Sequence, residues 1–125
     1  MFGEEETDSQ KLIPGILGNA LDKQDLFNEP LYNLIYLEVA ACRLSALPPT
    51  FSQMLPNLRA LNLNYNFLAD VAKPLVGLTR LRKLTIVGSR LKASKSVVRM
   101  LQRMPEMEQF DARYAIRFFL CYTFN

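Results

Sequence analysis

Residues 58–68 read LRALNLNYNFL, and this stretch decides the fold because its spacing recurs in the chain. Residues 34–44 read LIYLEVAACRL, and residues 81–91 read LRKLTIVGSRL. In all three stretches apolar residues stand at positions 1, 4, 6 and 11, and position 9 holds Asn, Cys or Ser. A skeleton that recurs in this way predicts three copies of one structural unit that stack against each other.

The intervals between the copies identify the unit. The copies begin at Leu34, Leu58 and Leu81, which are 24 and 23 residues apart, and a weaker fourth match begins at Met107, 26 residues further on. The pattern L-x-x-L-x-L-x-x-N/C-x-L at intervals of about 20–29 residues is that of leucine-rich repeats. We therefore predict an α/β solenoid, a short leucine-rich repeat stack with a parallel β-sheet on its concave face and short helices or 3-10 turns on its convex face.

Alternation within each repeat predicts which side chains are buried. The segment L-x-x-L-x-L has the period of two that a short strand needs. The residues predicted to point into the core are Leu37, Val39, Leu61, Leu63, Leu84 and Ile86. The amide of Asn66 is predicted to satisfy backbone groups where the chain leaves its strand, and Cys42 and Ser89 are predicted to do so less completely.

The stretches between the strands predict short helices. Prolines on both sides of residues 50–55 limit this segment to about one helical or 3-10 turn. Residues 94–104 form the best candidate helix, because Ser94 or Ser96 can cap it and Pro105 ends it. Its predicted apolar side consists of Val97, Val98, Met100, Leu101 and Met104.

The two ends of the chain do not follow the repeat. Residues 1–10 are acidic and without periodicity, and we predict that they are disordered. Residues 11–33 are predicted to be an N-terminal cap, either a short helix or a degenerate repeat, before the repeats of residues 34–113. The aromatic tail of residues 114–125 breaks the pattern, so that it either folds back over the exposed end of the core or does not belong to the natural fold.

Composition disfavours catalysis and membrane insertion. The chain contains no His and two Cys that form no C-x-x-C pair, so no zinc site, cofactor or Ser-His or Cys-His arrangement is predicted and we expect no enzyme. The longest apolar stretch, residues 114–125, is shorter than the roughly 18–20 residues of a transmembrane helix. Two scattered thiols and no signal peptide predict an intracellular, reducing compartment.

The repeat region resembles leucine-rich repeat proteins of intracellular scaffolds and phosphatase regulators. The motifs LNLNYN, LTRLRKL, VGSRL and LQRMP between residues 58 and 113 are most similar to the repeats of fungal septation-initiation (mitotic-exit) scaffolds. In that family the repeats belong to a longer protein at the spindle pole body, where they form a platform for partners of a small-GTPase cascade that triggers cytokinesis. The resemblance implies a non-catalytic, cytoplasmic or spindle-pole scaffold, with a phosphatase-regulator-like module as the alternative.

The concave face is the predicted binding surface, because solenoids commonly bind partners there and Tyr and Arg are favoured anchors. The alternative is that these are ordinary solvated strand residues. The predicted protein-binding residues are Tyr36, Glu38, Asn62, Asn64, Tyr65, Lys83, Thr85, Val87, Gln109, Asp111 and Arg113, with Ala40 and Ala60 between them. The exposed ends of so short a stack also predict self-association.

A basic run forms a second candidate surface. Residues 1–30 hold two basic and seven acidic side chains, whereas residues 31–125 hold thirteen basic and five acidic ones. Residues 80–103 contain no acidic residue, and their cations are Arg80, Arg82, Lys83, Arg90, Lys92, Lys95, Arg99 and Arg103. This run indicates an acidic protein partner or a solvated surface, and less readily a nucleic acid or an anionic membrane, because it lacks interleaved aromatic residues for base stacking.

Overall fold

The computed structural model describes residues 10–11, 29–92, 94–114 and 121–123. Residues 1–9 of the predicted disordered head and residues 12–28 of the predicted cap lie outside this part. So do residues 115–120 and 124–125 of the aromatic tail, and the predictions for these three segments stay predictions.

The described residues form one sheet whose strands follow the order of the chain. The first five strands are parallel, and the last strand pairs antiparallel with the fifth. The strands are β1 (Gln10–Lys11), β2 (Tyr36–Glu38), β3 (Ala60–Asn62), β4 (Lys83–Thr85), β5 (Gln109–Asp111) and β6 (Cys121–Thr123). The two edges of the sheet are therefore formed by strands outside the repeats. One edge strand is β1, at the junction of the predicted disordered head and the predicted cap, and the other is β6, in the aromatic tail.

Equivalent residues of successive repeats lie side by side. Leu37 pairs with Leu61, Leu61 with Leu84, and Leu84 with Phe110. This register carries the repeat pattern into space, because a shift of one residue would turn every apolar side chain to the opposite face. All six residues predicted to point into the core are buried, which confirms the alternation within the strands. Phe110 is also fully buried, so the fourth, weaker match supplies a strand in the same register.

Three helices lie between the strands in the described part of the chain: α1 (Phe51–Met54), α2 (Ala72–Leu75) and α3 (Ser94–Gln102). The four residues of α1 confirm the single turn that the flanking prolines predict. Helix α3 buries Val97, Met100 and Leu101. Val98 was expected on the same side but is exposed. At about 100° per residue, Val97 lies between Met100 and Leu101 at the centre of the buried side, and Val98 lies about 100° away from that centre.

The helices and the strands share one hydrophobic core. Phe51 of α1, Leu75 of α2 and Met100 of α3 belong to the same buried cluster as the inward residues of the strands. Helix α2 contacts both α1 and α3, so the helices stack in the same order as the strands. None of the helices in the described ranges is long and apolar enough to cross a membrane.

Each repeat leaves its strand through a residue with a left-handed backbone. The φ angles are 56° at Ala41, 60° at Tyr65, 76° at Gly88 and 61° at Tyr114, and these residues occupy the same position of the repeat. The N–H of Ala41 donates to the carbonyl of Asn64, and the N–H of Tyr65 donates to that of Val87. The left-handed turn therefore continues the hydrogen-bond ladder beyond the strands.

Asn66 joins the first two repeats at this turn. Its Oδ1 accepts from the backbone N–H groups of Cys42 and Leu44 at 2.9 and 3.0 Å. Its Nδ2 donates to the carbonyls of Val39 and Leu63 at 2.9 and 3.0 Å. The side chain is fully buried, so these bonds satisfy backbone groups that water cannot reach. The role predicted for this amide is confirmed.

Candidate protein-binding site

The side chains that alternate with the buried ones form a second face of the sheet. Each of the four strands β2 to β5 has one buried central residue between two residues that are half-buried or exposed. We call this surface the outer sheet face. Its residues are Tyr36, Glu38, Ala60, Asn62, Lys83, Thr85, Gln109 and Asp111.

The strand register arranges the outer sheet face in two rows. One row runs from Tyr36 through Ala60 and Lys83 to Gln109, and the other runs from Glu38 through Asn62 and Thr85 to Asp111. Neighbouring strands lie about 4.8 Å apart, so each row spans about 14 Å. The face thus brings together residues that are up to 75 positions apart in the sequence.

A hydrogen-bonded cluster occupies the centre of this face. The Oδ1 of Asn64 accepts from the hydroxyl of Thr85 at 2.6 Å and from the N–H of Val87 at 2.7 Å. The Oδ1 of Asn62 accepts from the N–H of Asn64 at 2.9 Å. These predicted site residues therefore hold the second and third repeats together, so a binding role for them cannot be tested by simple truncation.

The two ends of the outer sheet face carry charged groups. At one end the hydroxyl of Tyr36 donates to Glu38 at 2.9 Å, and burial, with this carboxylate as a smaller cause, raises the pKa of Tyr36. At the other end Arg113 forms an ion pair with Asp111 at 2.7 Å. The hydrogen bond from the Arg113 side chain lowers the pKa of the Asp111 carboxyl. Lys83 lies between these ends on β4, Gln109 lies on the same strand as Asp111, and both side chains are exposed.

Four predicted site residues lie outside the two rows, namely Asn64, Tyr65, Val87 and Arg113. Val87 is only 9% exposed, so it offers little surface to a partner, although it is not part of the hydrophobic core cluster. Tyr65 lies in the turn after β3 and is 62% exposed. Its ring lies against Gly88, because a Cβ added to that glycine would stand 2.7 Å from the Tyr65 Cδ1.

One exposed aromatic residue close to Tyr65 was not among the predicted site residues. Phe67 is 43% exposed, and the Arg90 guanidinium lies over its ring, 4.6 Å from the centroid. The sequence carries a signal for this exposure: the same position of the repeat holds Arg43 and Arg90 in the neighbouring copies. An aromatic residue at a position that elsewhere holds arginine is expected to face solvent.

All eight cations of the basic run are exposed. These cations do not share one surface. Lys83 belongs to the outer sheet face, and Arg90 covers the ring of Phe67. The Nε of Arg82 lies 3.7 Å from the Oε1 of Glu106. Arg99 and Arg103 lie on α3 and just beyond its end. In the described ranges no group of three or more His, Cys, Asp or Glu is arranged to hold a metal ion.

Comparison with known proteins agrees with this geometry. The family model described as leucine rich repeat matches residues 32–91. The chain is also similar to the septation initiation network scaffold protein cdc11 of Schizosaccharomyces pombe, with 31% identity over 78 residues. The match covers 62% of this chain and 7% of that protein, so the chain spans a small part of the relative's length.

Proposed function

We propose that this chain, whose residues 32–91 match the leucine-rich repeat family model, is a non-catalytic scaffold that binds other proteins. The outer sheet face is the concave binding surface in this proposal, and the helices form the convex side. The observation that carries it is the register of β2 to β5. It sets exposed and half-buried side chains from four repeats on one surface, as solenoid binding faces require.

The chemistry of the outer sheet face suits a protein partner. The face offers the aromatic ring of Tyr36, the amide of Gln109 and the charges of Lys83, Glu38 and Asp111. Tyr and Arg are enriched among residues that dominate binding energy, and a rigid, hydrogen-bonded centre loses little conformational entropy when it binds. The exposed Tyr65 extends this surface beyond the C-terminal end of β3.

The biological setting we propose follows from the similarity to the septation initiation network scaffold cdc11. In this proposal the chain serves a septation or mitotic-exit signalling complex, in the cytoplasm or at the spindle pole body. The similarity supports this setting through the repeat region alone, since the match covers 7% of the relative.

The test replaces two neighbouring residues of the outer sheet face that the core does not need. Lys83 pairs with Gln109 across β4 and β5, and both side chains are exposed. The double variant Lys83→Glu, Gln109→Ala is used as bait in cell extract, and bound proteins are quantified by mass spectrometry. We expect the bound amount of a defined set of partners, which includes septation-network components, to fall at least tenfold in this variant.

The matched control is Lys92→Glu, Gln53→Ala, which makes the same chemical changes at exposed positions outside the strands. Both variants must first show unchanged circular dichroism and thermal unfolding. If both variants keep the same partners, the outer sheet face is not the binding surface. If the partners are lost only from the first variant but belong to another pathway, the scaffold proposal stands and the septation setting is wrong.

We also propose that the chain self-associates through the ends of the stack. The outer sides of β1 and β6 are the edges of the described sheet, and an edge strand presents backbone groups to a second chain. Sedimentation velocity over a hundredfold range of concentration tests this proposal. A sedimentation coefficient that stays at the monomer value throughout would contradict it.

A further inference from the structure

A groove lies between α2 and α3, on elements that do not contribute to the outer sheet face. Its volume is about 570 Å³. The apolar side chains that line it are Ala72 and Val76, which are half-buried, and Met100, which is buried in the core. The groove is therefore large enough for one or two side chains of a partner and gives them an apolar floor.

Three cations surround this floor. Lys73 comes from α2, while Arg99 lies on α3 and Arg103 follows that helix by one residue. Arg103 lies in the turn that ends α3, where its N–H donates to the carbonyl of Met100 at 3.0 Å, and both arginines line the groove. All three are exposed, and no acidic residue is among the residues that line the groove. The local charge is thus positive on both walls.

We propose that this groove binds an acidic segment of a partner protein in which an apolar side chain is flanked by Asp or Glu. The apolar side chain covers Val76 and Met100. Burial of a side chain of the size of Leu should lower the Kd roughly thirtyfold. The carboxylates pair with Arg99, Arg103 and Lys73, where the planar guanidinium groups can each hold a carboxylate through two hydrogen bonds.

The side chains that line the groove favour an acidic protein segment over a nucleic acid, although both carry negative charge. A single strand would use aromatic side chains to stack its bases, and none of the residues that line the groove is aromatic. A phosphate backbone would also leave the apolar floor unused. This proposal does not rest on the function of the outer sheet face, because the two surfaces share no residue.

The probe is a fluorescent synthetic peptide with the central sequence Glu-Glu-Leu-Glu-Glu, titrated with the full chain at 0.15 M salt and followed by anisotropy. Two matched peptides separate the contributions. Glu-Glu-Gly-Glu-Glu removes the apolar side chain, and Gln-Gln-Leu-Gln-Gln removes the charges. We expect each change to weaken binding at least tenfold. Because the protein stays unaltered, these comparisons do not depend on the folding of a variant.

The protein variant Arg99→Glu, Arg103→Glu should weaken binding of the acidic peptide at least tenfold. The control is Arg43→Glu, Arg80→Glu, which reverses two exposed cations that lie outside α2 and α3 and do not line the groove. It changes the net charge equally and should alter binding less than twofold, because salt at this ionic strength screens solvent-exposed charges over a Debye length of about 8 Å.

Three results would overturn the proposal. The first is no binding of the acidic peptide at millimolar concentration. The second is an equal loss in both charge-reversed variants, which would indicate a diffuse basic surface. The third is tighter binding of a single-stranded oligonucleotide of equal charge that both variants weaken alike. Loss of partners in the Lys83→Glu, Gln109→Ala variant would change none of these results, so the two proposals fail separately.

Discussion

The turn after β3 and the turn after β4 perform the same task with different side chains. In the first turn Tyr65 has the left-handed backbone and Asn66 follows it, whereas in the second these positions hold Gly88 and Ser89. Asn66 bonds to backbone groups of its own repeat and of the preceding one. The hydroxyl of Ser89 bonds to the N–H and carbonyl of Leu68 alone, at 2.7 and 3.1 Å.

This difference shows how a weaker turn is offset elsewhere. The second and third repeats have fewer bonds in the turn, but they are also joined on the outer sheet face, where Asn64 accepts from Thr85 and Val87. The left-handed backbone, in contrast, costs less in the turn after β4 than in the turn after β3. Gly88 adopts φ of 76° without steric cost, while Tyr65 adopts φ of 60° against the preference of a residue with a Cβ.

The largest effect is expected for Asn66→Ala. The change leaves the N–H groups of Cys42 and Leu44 and the carbonyls of Val39 and Leu63 without their side-chain partner in a buried turn. We expect the free energy of unfolding to fall by about 4 kcal/mol, since each unsatisfied buried group costs about 1–3 kcal/mol. Urea unfolding measures it. Asn57→Ala, which removes the single exposed bond to the Tyr32 carbonyl, is the control and should cost under about 1 kcal/mol.

Gly88→Ala should have the next largest effect. Its new Cβ meets a left-handed backbone, at a cost of about 1–2 kcal/mol, and it would stand 2.7 Å from the Tyr65 ring. We expect a loss of about 2 kcal/mol in urea unfolding. In a double-mutant cycle with Tyr65→Ala, the steric part should disappear and the backbone part should remain. Additive losses would mean that the ring does not restrict this glycine.

A smaller loss is expected for Ser89→Ala. The change removes two hydrogen bonds to the buried backbone of Leu68, which should lower the free energy of unfolding by about 1–2 kcal/mol. Ser45→Ala, at an exposed serine of the first repeat, is the matched control and should change it by less than about 0.5 kcal/mol. If Ser89→Ala costs as much as Asn66→Ala, the turn after β4 is not the weaker of the two.

The smallest effect belongs to the last repeat, where Asp111 meets Arg113 near the exposed Tyr114. The pKa of Asp111 is lower in the folded protein, so this group contributes stability above its ordinary pKa near 3.8, and the contribution is lost as the pH falls through the folded value. Because the side chain of Arg113 is more than half exposed, solvent screens the ion pair, and Asp111→Asn should cost under about 0.5 kcal/mol at pH 7. The unfolding midpoints of the variant and the wild type should converge as the pH falls below 3.8; a constant difference would exclude titration of this carboxyl as the cause.

The sequence alone determined the repeat, the strands and the inward residues, because the period of two and the intervals of 23–26 residues leave one arrangement that buries the apolar positions shared by the repeats. It also predicted the bonds of Asn66, since a buried amide in a turn has few other partners. It placed the candidate residues of the outer sheet face through the same alternation.

Only the tertiary structure decided which of those residues can meet a partner. Asn62, Asn64 and Thr85 read as surface residues, yet they bond to each other or to neighbouring repeats, and Val87 is nearly buried. The exposed Phe67 under Arg90 and the groove between α2 and α3 arise from contacts between neighbouring repeats, whose residues are not adjacent in the sequence. A repeat pattern fixes the path of the backbone, whereas the exposure and the hydrogen bonds of a side chain depend on its neighbours in the next repeat.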